Sequence, residues 1–462
     1  MATAPGFLSG AVVIWCFTTR SDREYTTQNM DRRTRIIIIV IVVVAGLLRL
    51  GFSTLVVGWR SDIRGDAVDY HAIASSLASG DGYRIDDKLT GRRPPVFPVV
   101  LSAVYKVFGP SVNVGRTLQV LLGMLVVYLV FLVTRRFFGT RAALIASGIA
   151  ALNPFLIFIS GYLLTENLYM ILVLTALAVF PVPARLNGPL LGMMVAVVLL
   201  AVAMLTRPTG LPLAIWMLAA GLLFGSGPWW SRTRNGLLAV VLLTLIALPW
   251  AIRNQRMVGG WVGLTTHGGV TFYQGNNQKV IDIPHYRGGV APLDGLPHAA
   301  EIAAMTELER ERFTWEKGKE FLLRNRGDIP KIVWWKFVRF WRVKSDMGLS
   351  GVRSGWWWNK DSFLGRLAID VDVGFVYAII VFPLFVAGII ITRKRWRELL
   401  FLYGVVVSHT AVALVFFGSI RGRIPVEPII AIFAAVTVDR LCRLRRPFFW
   451  RRARQQAARN ER

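Results

Sequence analysis

The sequence RGDAVDYHAIASSLASGDGYRIDDKLTGRRPPVFP, residues 64–98, decides the fold of this chain. It is dense in Asp, Arg and Gly, and it ends in a stiff Arg-Arg-Pro-Pro. Directly before it, residues 36–58 form the first strongly apolar segment. A long apolar run that is followed at once by so much polar material predicts a membrane protein with a site at the membrane surface.

The composition also indicates a membrane protein. Of the 462 residues 54% are hydrophobic, and the mean hydropathy is +0.50. The net charge is +27, but Arg and Lys stand in short clusters between apolar runs, as is typical of loops at an anionic membrane surface. No basic stripe interleaved with aromatic residues occurs, so we expect no nucleic-acid partner. The two distant cysteines, Cys16 and Cys442, provide neither a disulfide framework nor a cysteine metal site.

The apolar windows set the fold class. A helix needs roughly 20 apolar residues to cross the hydrocarbon, and the sequence therefore predicts an all-α polytopic membrane protein with about ten transmembrane helices, in a range of roughly nine to twelve. In the third window, Asn153-Pro154 is expected to kink or end the helix. The windows lie at 36–58, 114–134, 141–160, 163–181, 189–206, 209–225, 236–253, 370–392, 398–418 and 424–440.

Charge sets the topology. Every second loop between the windows is basic, which predicts cytoplasmic termini in an inner or plasma membrane. Met30 heads MDRRTRIIIIVIVVVAGLL as a natural start would, so we expect residues 1–29 to be either a mis-called start or a dispensable tail. The predicted regions are a cytoplasmic tail at 1–35, a transmembrane catalytic module at 36–253 with a first outer loop at 59–113, an extracytoplasmic loop at 254–369, C-terminal transmembrane helices at 370–440 and a basic cytoplasmic tail at 441–462.

The two long outer loops contain helical patterns. Apolar residues at helical spacing predict interfacial helices at 67–78 and 96–108. The later loop has a charged helical stretch at 301–326 and tryptophan clusters at 334–341 and 356–358. We interpret these tryptophans as anchors at the membrane interface, with stacking on sugar faces as the alternative.

Three carboxylates are candidate catalytic groups. Asp66 and Asp69, together with Tyr70, are spaced to share one face of a helix. A solvated helix start explains the two aspartates equally well, because Asp is favoured in first turns. Glu166 stands at the edge of a predicted span, in a tract without basic residues from 142 to 184. A charge there is costly, and such residues tend to be functional.

Five arginines are candidate anion-binding groups. The prolines after Arg92 and Arg93 fix the backbone, and a guanidinium fork matches phosphate bidentately. Snorkelling of these side chains to lipid headgroups is the alternative. Arg207, Arg421 and Arg423 fall in outer loops, against the positive-inside trend. An anionic ligand would explain them about as well as a plain loop does.

Several sequence signatures are absent. There is no Walker A loop, HExxH, GxSxG or Cys/His metal spacing, so ATP-driven transport and zinc hydrolysis have no visible machinery. The five histidines are scattered and form no recognisable triad.

At several segments the chain resembles the GT-C membrane glycosyltransferases, specifically the family-39 type that includes protein O-mannosyltransferases and the aminoarabinose transferase of lipid A. The first outer loop and the stretch ending in LLTENLY carry the most specific part of this resemblance. The matching segments are GDAVDYHAIASSLASGDGY at 65–83, RRPPVFPVVLSAVYKVFG at 92–109, FGTRAALIASGIAALNPFLIFISGYLLTENLY at 138–169, LTRPTGLPL at 205–213, TFYQGNN at 271–277 and RGRIPVEP at 421–428.

The resemblance implies a polyprenyl-phosphate-linked sugar as donor and an acceptor lipid, glycan or protein on the outer side of the membrane. It implies that Asp66 is the catalytic base, that Glu166 is the second outer-loop acid, and that Arg92 or Arg93 approaches the donor phosphate. Many relatives have Asp-Glu where this chain has Asp66-Ala67, so a second acid in that pair is missing.

The chemistry of the donor explains why a carboxylate and several arginines are sufficient for catalysis. In an inverting transfer, a carboxylate takes the proton of the acceptor hydroxyl as that oxygen attacks the anomeric carbon. The lipid phosphate leaves as a stable anion, whose developing charge arginines can stabilise. We therefore expect no cofactor and no divalent metal. A transporter or flippase of a lipid-linked sugar is the main alternative, although no inverted repeat is visible; a non-enzymatic scaffold would leave the polar first loop unexplained.

Overall fold

A computed structural model describes residues 30–58, 62–180, 190–225, 227–343 and 373–460. The regular secondary structure within these ranges is helical apart from one small hairpin, in which β1 (Arg84–Ile85) pairs with β2 (Lys88–Leu89) in antiparallel register. The predicted all-α class is therefore confirmed. Cys16, the tail at 1–29 and the tryptophan cluster at 356–358 lie outside the described residues.

The helices follow the predicted windows closely. In the first half of the chain they are α1 (Arg32–Gly51, continued by a π-helical turn at Phe52–Gly58), α2 (Asp66–Ser79), α3 (Val96–Phe108), α4 (Val112–Phe138), α5 (Thr140–Leu152), α6 (Pro154–Ile159), α7 (Glu166–Val179), α8 (Leu190–Met204), α9 (Gly210–Phe224) and α10 (Trp229–Val258). In the second half they are α11 (Gly268–Gly275), α12 (Gln278–Asp282), α13 (Ala299–Ala304), α14 (Glu307–Arg324), α15 (Ile329–Phe340), α16 (Val373–Thr392), α17 (Leu400–Val415), α18 (Ile420–Arg423) and α19 (Glu427–Asn460).

Four of the described helical segments are long and apolar enough to cross a membrane: Arg32–Gly58, Val112–Phe138, Trp229–Val258 and Val373–Arg395. Six further apolar helices have 10–17 residues. Only 6% of the most apolar window of α10 is buried inside the protein. Such a helix would be unstable in water and is suited to contact with lipid, so the chain is a membrane protein. The predicted number of ten spans stays a prediction.

The core lies where α4 and α7 pack against each other and against α5 and α8. On α7 nearly every side chain is buried, and the apolar run at 429–435 of α19 is buried on all faces. Both stretches are apolar on nearly all sides because protein surrounds them, whereas α1 and α10 keep an exposed apolar face.

Arg49 on α1 stabilises the break between α5 and α6. The break falls at Asn153-Pro154, as predicted, and it removes two hydrogen bonds: Pro154 has no N–H for the carbonyl of Ala150, and the Phe155 amide binds the Asn153 side chain instead of the Ala151 carbonyl. The guanidinium of the fully buried Arg49 donates to both orphaned carbonyls, at 3.4 Å each. Unpaired carbonyls are costly in hydrocarbon, so this arginine has a structural role.

We expect Arg49→Met to lower the unfolding free energy by about 2 kcal/mol, since two carbonyls lose a charged donor. The measurement is the thermal unfolding midpoint in detergent. Leu47→Met, on an exposed position of the same helix, is the matched control and should leave the midpoint unchanged. A gain in stability for Arg49→Met would mean that desolvation of the guanidinium outweighs its hydrogen bonds.

The predicted interfacial helices are present as α2 and α3, which pack against each other. The charged stretch predicted as one helix at 301–326 is instead divided into α13 and α14. The first ends at Ala304, and Thr306 caps the second: its side chain and that of Glu309 form a capping box, which satisfies amides at the start of α14. At the other end of the chain, α19 continues past the predicted boundary at 440.

Candidate active site

Arg93 joins the two aspartates of α2. Its Nη2 donates to Asp66 Oδ1 over 2.5 Å, and its Nε donates to Asp69 Oδ2 over 2.8 Å. The guanidinium also lies 5.5 Å from the centre of the buried Tyr70 ring. The sequence predicted that Asp66, Asp69 and Tyr70 share one face of a helix, and the structure places all three around the Arg93 guanidinium.

Arg421 joins this group to a distant part of the chain. Its Nη1 donates to Asp66 Oδ2 over 2.6 Å, and its Nε donates to Glu166 Oε1 over 2.7 Å. Arg207 pairs with the same oxygen of Glu166 over 2.5 Å. Glu166 is the first residue of α7, where a carboxylate also benefits from the helix dipole. One guanidinium therefore connects two of the candidate catalytic acids.

The three carboxylates differ in exposure. The side chain of Glu166 is completely buried, and its Oε2 has no hydrogen-bond partner among the described residues. The Asp69 side chain is 11% exposed, and that of Asp66 is 28% exposed. Asp66 is thus the most exposed of the three carboxylates, while Glu166 is in contact with Arg421 and Arg207.

The charges around Asp66 favour its ionised form. Burial raises the pKa of Asp66, but the guanidinium groups of Arg421 and Arg93 outweigh burial and hold the pKa well below its usual range. Four arginines, at 92, 93, 207 and 421, face three carboxylates, at 66, 69 and 166, which leaves one net positive charge. The cluster can therefore accept an additional anion.

Arg92 and Arg93 have different partners. Arg93 is engaged by both aspartates and is 10% exposed. Arg92 has only its Nε near a carboxylate, 3.3 Å from Asp69 Oδ2, and no described residue pairs with its terminal nitrogens. Its side chain is 39% exposed. Of the two arginines that the sequence left as alternatives, Arg92 is therefore the one whose terminal nitrogens are unpaired among the described residues.

Arg423 does not join this cluster. It is fully buried, its Nε donates to Glu427 Oε1 over 3.0 Å, and its Nη1 donates to the carbonyls of Phe340 and Arg342. Glu427 in turn accepts from the side chain of Asn153. This buried network anchors the turn that carries Arg421, so the position of Arg423 is that of a structural residue rather than a ligand contact.

Sequence reasoning missed a second segment at the site, residues 265–267. The Thr266 amide donates to the Gly91 carbonyl over 3.0 Å, and the Thr265 hydroxyl donates to the Arg92 carbonyl over 2.5 Å. His267 follows; burial and the nearby arginines lower its pKa to about 3, so the imidazole is neutral. No periodicity or motif links this segment to residues 91–92, which lie more than 170 positions away.

No group of three or more His, Cys, Asp or Glu side chains in the described part of the chain is arranged to hold a metal ion. Between Asp66 and Glu166, the positive charge is supplied by the Arg421 guanidinium.

Part of the chain matches a known protein family. Residues 92–252 match the sequence profile of the family described as dolichyl-phosphate-mannose-protein mannosyltransferase. This segment includes Arg92, Arg93, Glu166 and Arg207, whereas Asp66 and Arg421 lie outside it. A search of curated proteins gave no significant match.

Solved structures give the fold. The Archaeoglobus fulgidus oligosaccharyltransferase tethered with an acceptor peptide is similar over 89% of this chain and 50% of that chain, with 15% identity and a TM-score of 0.51. Its complex with Zn and sulfate is similar over 86% of this chain and 48% of that chain, with 18% identity and a TM-score of 0.50. ArnT from Cupriavidus metallidurans bound to undecaprenyl phosphate is similar over 87% of this chain and 78% of that chain, with 16% identity and a TM-score of 0.41.

The present chain spans about half the length of the oligosaccharyltransferase that it matches. The shared architecture confirms the predicted resemblance in fold: this is an all-α membrane protein of the GT-C type.

Proposed function

We propose that the protein is a glycosyltransferase that moves a hexosyl or pentosyl group from a polyprenyl-phosphate donor to an acceptor lipid, glycan or protein. In this proposal the reaction takes place on the extracytoplasmic side of an inner or plasma membrane, and both termini are cytoplasmic. Membrane lipids surround the bundle, and neither a cofactor nor a metal ion takes part.

The observation that carries this proposal is the double contact of Arg421 with Asp66 and Glu166. An accessible carboxylate and an array of arginines meet at one end of the helix bundle, and the arginines outnumber the acids by one. Sugar transfer from a lipid phosphate requires a carboxylate as general base and, beside it, cations that stabilise the anionic leaving group. The family match of residues 92–252 supports the same chemistry.

In the proposed mechanism Asp66 accepts the proton of the acceptor hydroxyl as that oxygen attacks the anomeric carbon. The bond between this carbon and the phosphate oxygen breaks, and the polyprenyl phosphate leaves with the electron pair. Arg92, with its free fork, and Arg421 stabilise the charge that develops on the phosphate. Arg207 holds Glu166, and Glu166 in turn holds Arg421.

The direct test uses proteoliposomes that contain the purified protein and a polyprenyl-phosphate sugar with a labelled sugar. Envelope extracts serve as the source of acceptor. We expect labelled product and an equal amount of released polyprenyl phosphate. Movement of the intact labelled donor across the bilayer without any transfer product would support the transporter alternative and contradict the proposal.

The pH dependence gives a second test. In the free enzyme Arg93 and Arg421 hold the pKa of Asp66 well below its usual range. A donor phosphate that shares Arg421 weakens this pairing and raises the pKa of Asp66 in the complex. The rate falls as the pH drops through that raised pKa, because the base becomes protonated. We expect kcat, which reports the enzyme–donor complex, to fall at acid pH, and kcat/KM, which reports the free enzyme, to stay constant over the same range. The same fall in both quantities would contradict the idea that the donor phosphate shares Arg421 with Asp66.

A further inference from the structure

The turn that carries Arg92 and Arg93 is fastened to Glu307, the first residue of α14. The Thr90 hydroxyl donates to Glu307 Oε1 over 2.6 Å, and the Gly91 amide donates to Glu307 Oε2 over 3.0 Å. The Thr266 hydroxyl donates to the same Oε2 over 2.6 Å. Three donors from two distant segments thus converge on one carboxylate.

These contacts continue to the backbone of Arg92. The Thr90 hydroxyl, while donating to Glu307, accepts from the Arg92 amide over 3.1 Å. On the other side of the residue, the Arg92 carbonyl accepts from Thr265. The Arg92 backbone is therefore held on both sides, and this anchorage, together with the contact of its Nε with Asp69, sets the position of its terminal nitrogens.

Packing limits how the turn can move. Gly91 is buried, and a Cβ at this position would lie 3.1 Å from the Thr266 side chain and 3.2 Å from that of Asn254. Arg253 donates to the Thr90 carbonyl over 2.5 Å from the same direction. The turn therefore packs closely against Thr266 and Asn254, with little room for a side chain at position 91. Without the hydrogen bonds to Glu307 fewer contacts hold the turn there, and any shift of the turn moves Arg92 with it.

We propose that Glu307 is a positioning residue for the donor phosphate, which it serves by holding the turn at 90–93 so that the Arg92 guanidinium faces the anion. This inference rests on the proposed function, in which Arg92 contacts that phosphate. Glu307 itself touches no substrate. The loop at 254–343 thereby contributes to donor affinity through hydrogen bonds to the first outer loop.

The test measures binding of undecaprenyl phosphate to the full-length protein in lipid nanodiscs, with undecaprenol as the phosphate-free probe. We expect Glu307→Ala to weaken undecaprenyl phosphate binding about tenfold and to leave undecaprenol binding unchanged. Thr90→Val removes the hydrogen bonds that link Glu307 to the Arg92 amide, and it should weaken binding in the same way. This variant replaces Glu307→Ala in the test if Glu307→Ala folds poorly. Glu309→Ala is the matched control: it removes the capping box from the same turn of α14 without touching residues 90–93, and its affinity should stay within about twofold of wild type.

A double-mutant cycle separates positioning from general destabilisation. If Glu307 acts through Arg92, then Glu307→Ala combined with Arg92→Ala binds no more weakly than Arg92→Ala alone. Additive losses, an unchanged affinity in Glu307→Ala and Thr90→Val, or an equal loss in Glu309→Ala would each overturn the inference while leaving the proposed function intact. A wild-type protein that does not distinguish undecaprenyl phosphate from undecaprenol would overturn the donor assignment, and the inference with it.

Discussion

Asp66→Asn should lower the turnover of sugar transfer by about three orders of magnitude, in the middle of the range for loss of a general base. Asparagine has the same shape and keeps one oxygen for Arg93 or Arg421, but it cannot accept the proton of the acceptor hydroxyl. Asp66 is the most exposed of the three clustered carboxylates, so its loss is not replaced by Asp69 or Glu166. The measurement is single-turnover transfer in proteoliposomes.

Two further variants make this result specific. Asp81→Asn, at an exposed position just beyond the same helix, should transfer sugar at the wild-type rate. Asp69→Asn removes a partner of Arg93 but not the proposed base, so a loss of about tenfold is expected from a weakened charged hydrogen bond. Wild-type-like transfer by Asp66→Asn together with a large loss in Asp69→Asn would assign the base to Asp69.

The local part of the site could be predicted from the sequence. The spacing of Asp66, Asp69 and Tyr70 is a helical repeat, and a helix forms there with these side chains around one cation. The double proline after Arg93 signals a rigid turn, and that turn is present. Both features depend on residues that are near in sequence, where spacing fixes direction.

The distant part could not be predicted in the same way. Arg421 and Arg423 look equivalent in the sequence RGR, yet α18 is a helical turn, and two positions on a helix differ by about 200°. One side chain therefore points to Asp66 and Glu166, and the other to Glu427. The sequence places both arginines in an outer loop, where spacing does not fix the direction of a side chain, so their opposite directions could not be predicted.

Glu307 shows a second limit of the sequence. It is the first residue of a charged helix, where the spacing of Thr306 and Glu309 predicts a capping box for Glu309, whereas no pattern predicts a contact for Glu307. Its role depends on Thr90 and Gly91, more than 200 residues away. Only the packing of α14 beside the first outer loop selects one glutamate for the site.

Arg421→Lys should reduce turnover by about a hundredfold, even though the charge is retained. A single ammonium group cannot reproduce the geometry in which Nη1 contacts Asp66 and Nε contacts Glu166. Asp66 then keeps Arg93 alone, the buried Glu166 keeps Arg207 alone, and the leaving phosphate loses a planar donor. The steady-state kcat and the donor KM are the measurements, and both should worsen.

Arg423→Lys is the matched control for this variant, because the same change is made two residues away. Arg423 is buried against Glu427 and donates to two backbone carbonyls, so its replacement should lower the thermal unfolding midpoint and the yield of folded protein. The folded fraction should keep the wild-type donor KM. If Arg423→Lys instead raised KM at an unchanged midpoint, the anion contact would extend to Arg423, and the division of the RGR turn into one ligand-facing and one structural arginine would be wrong.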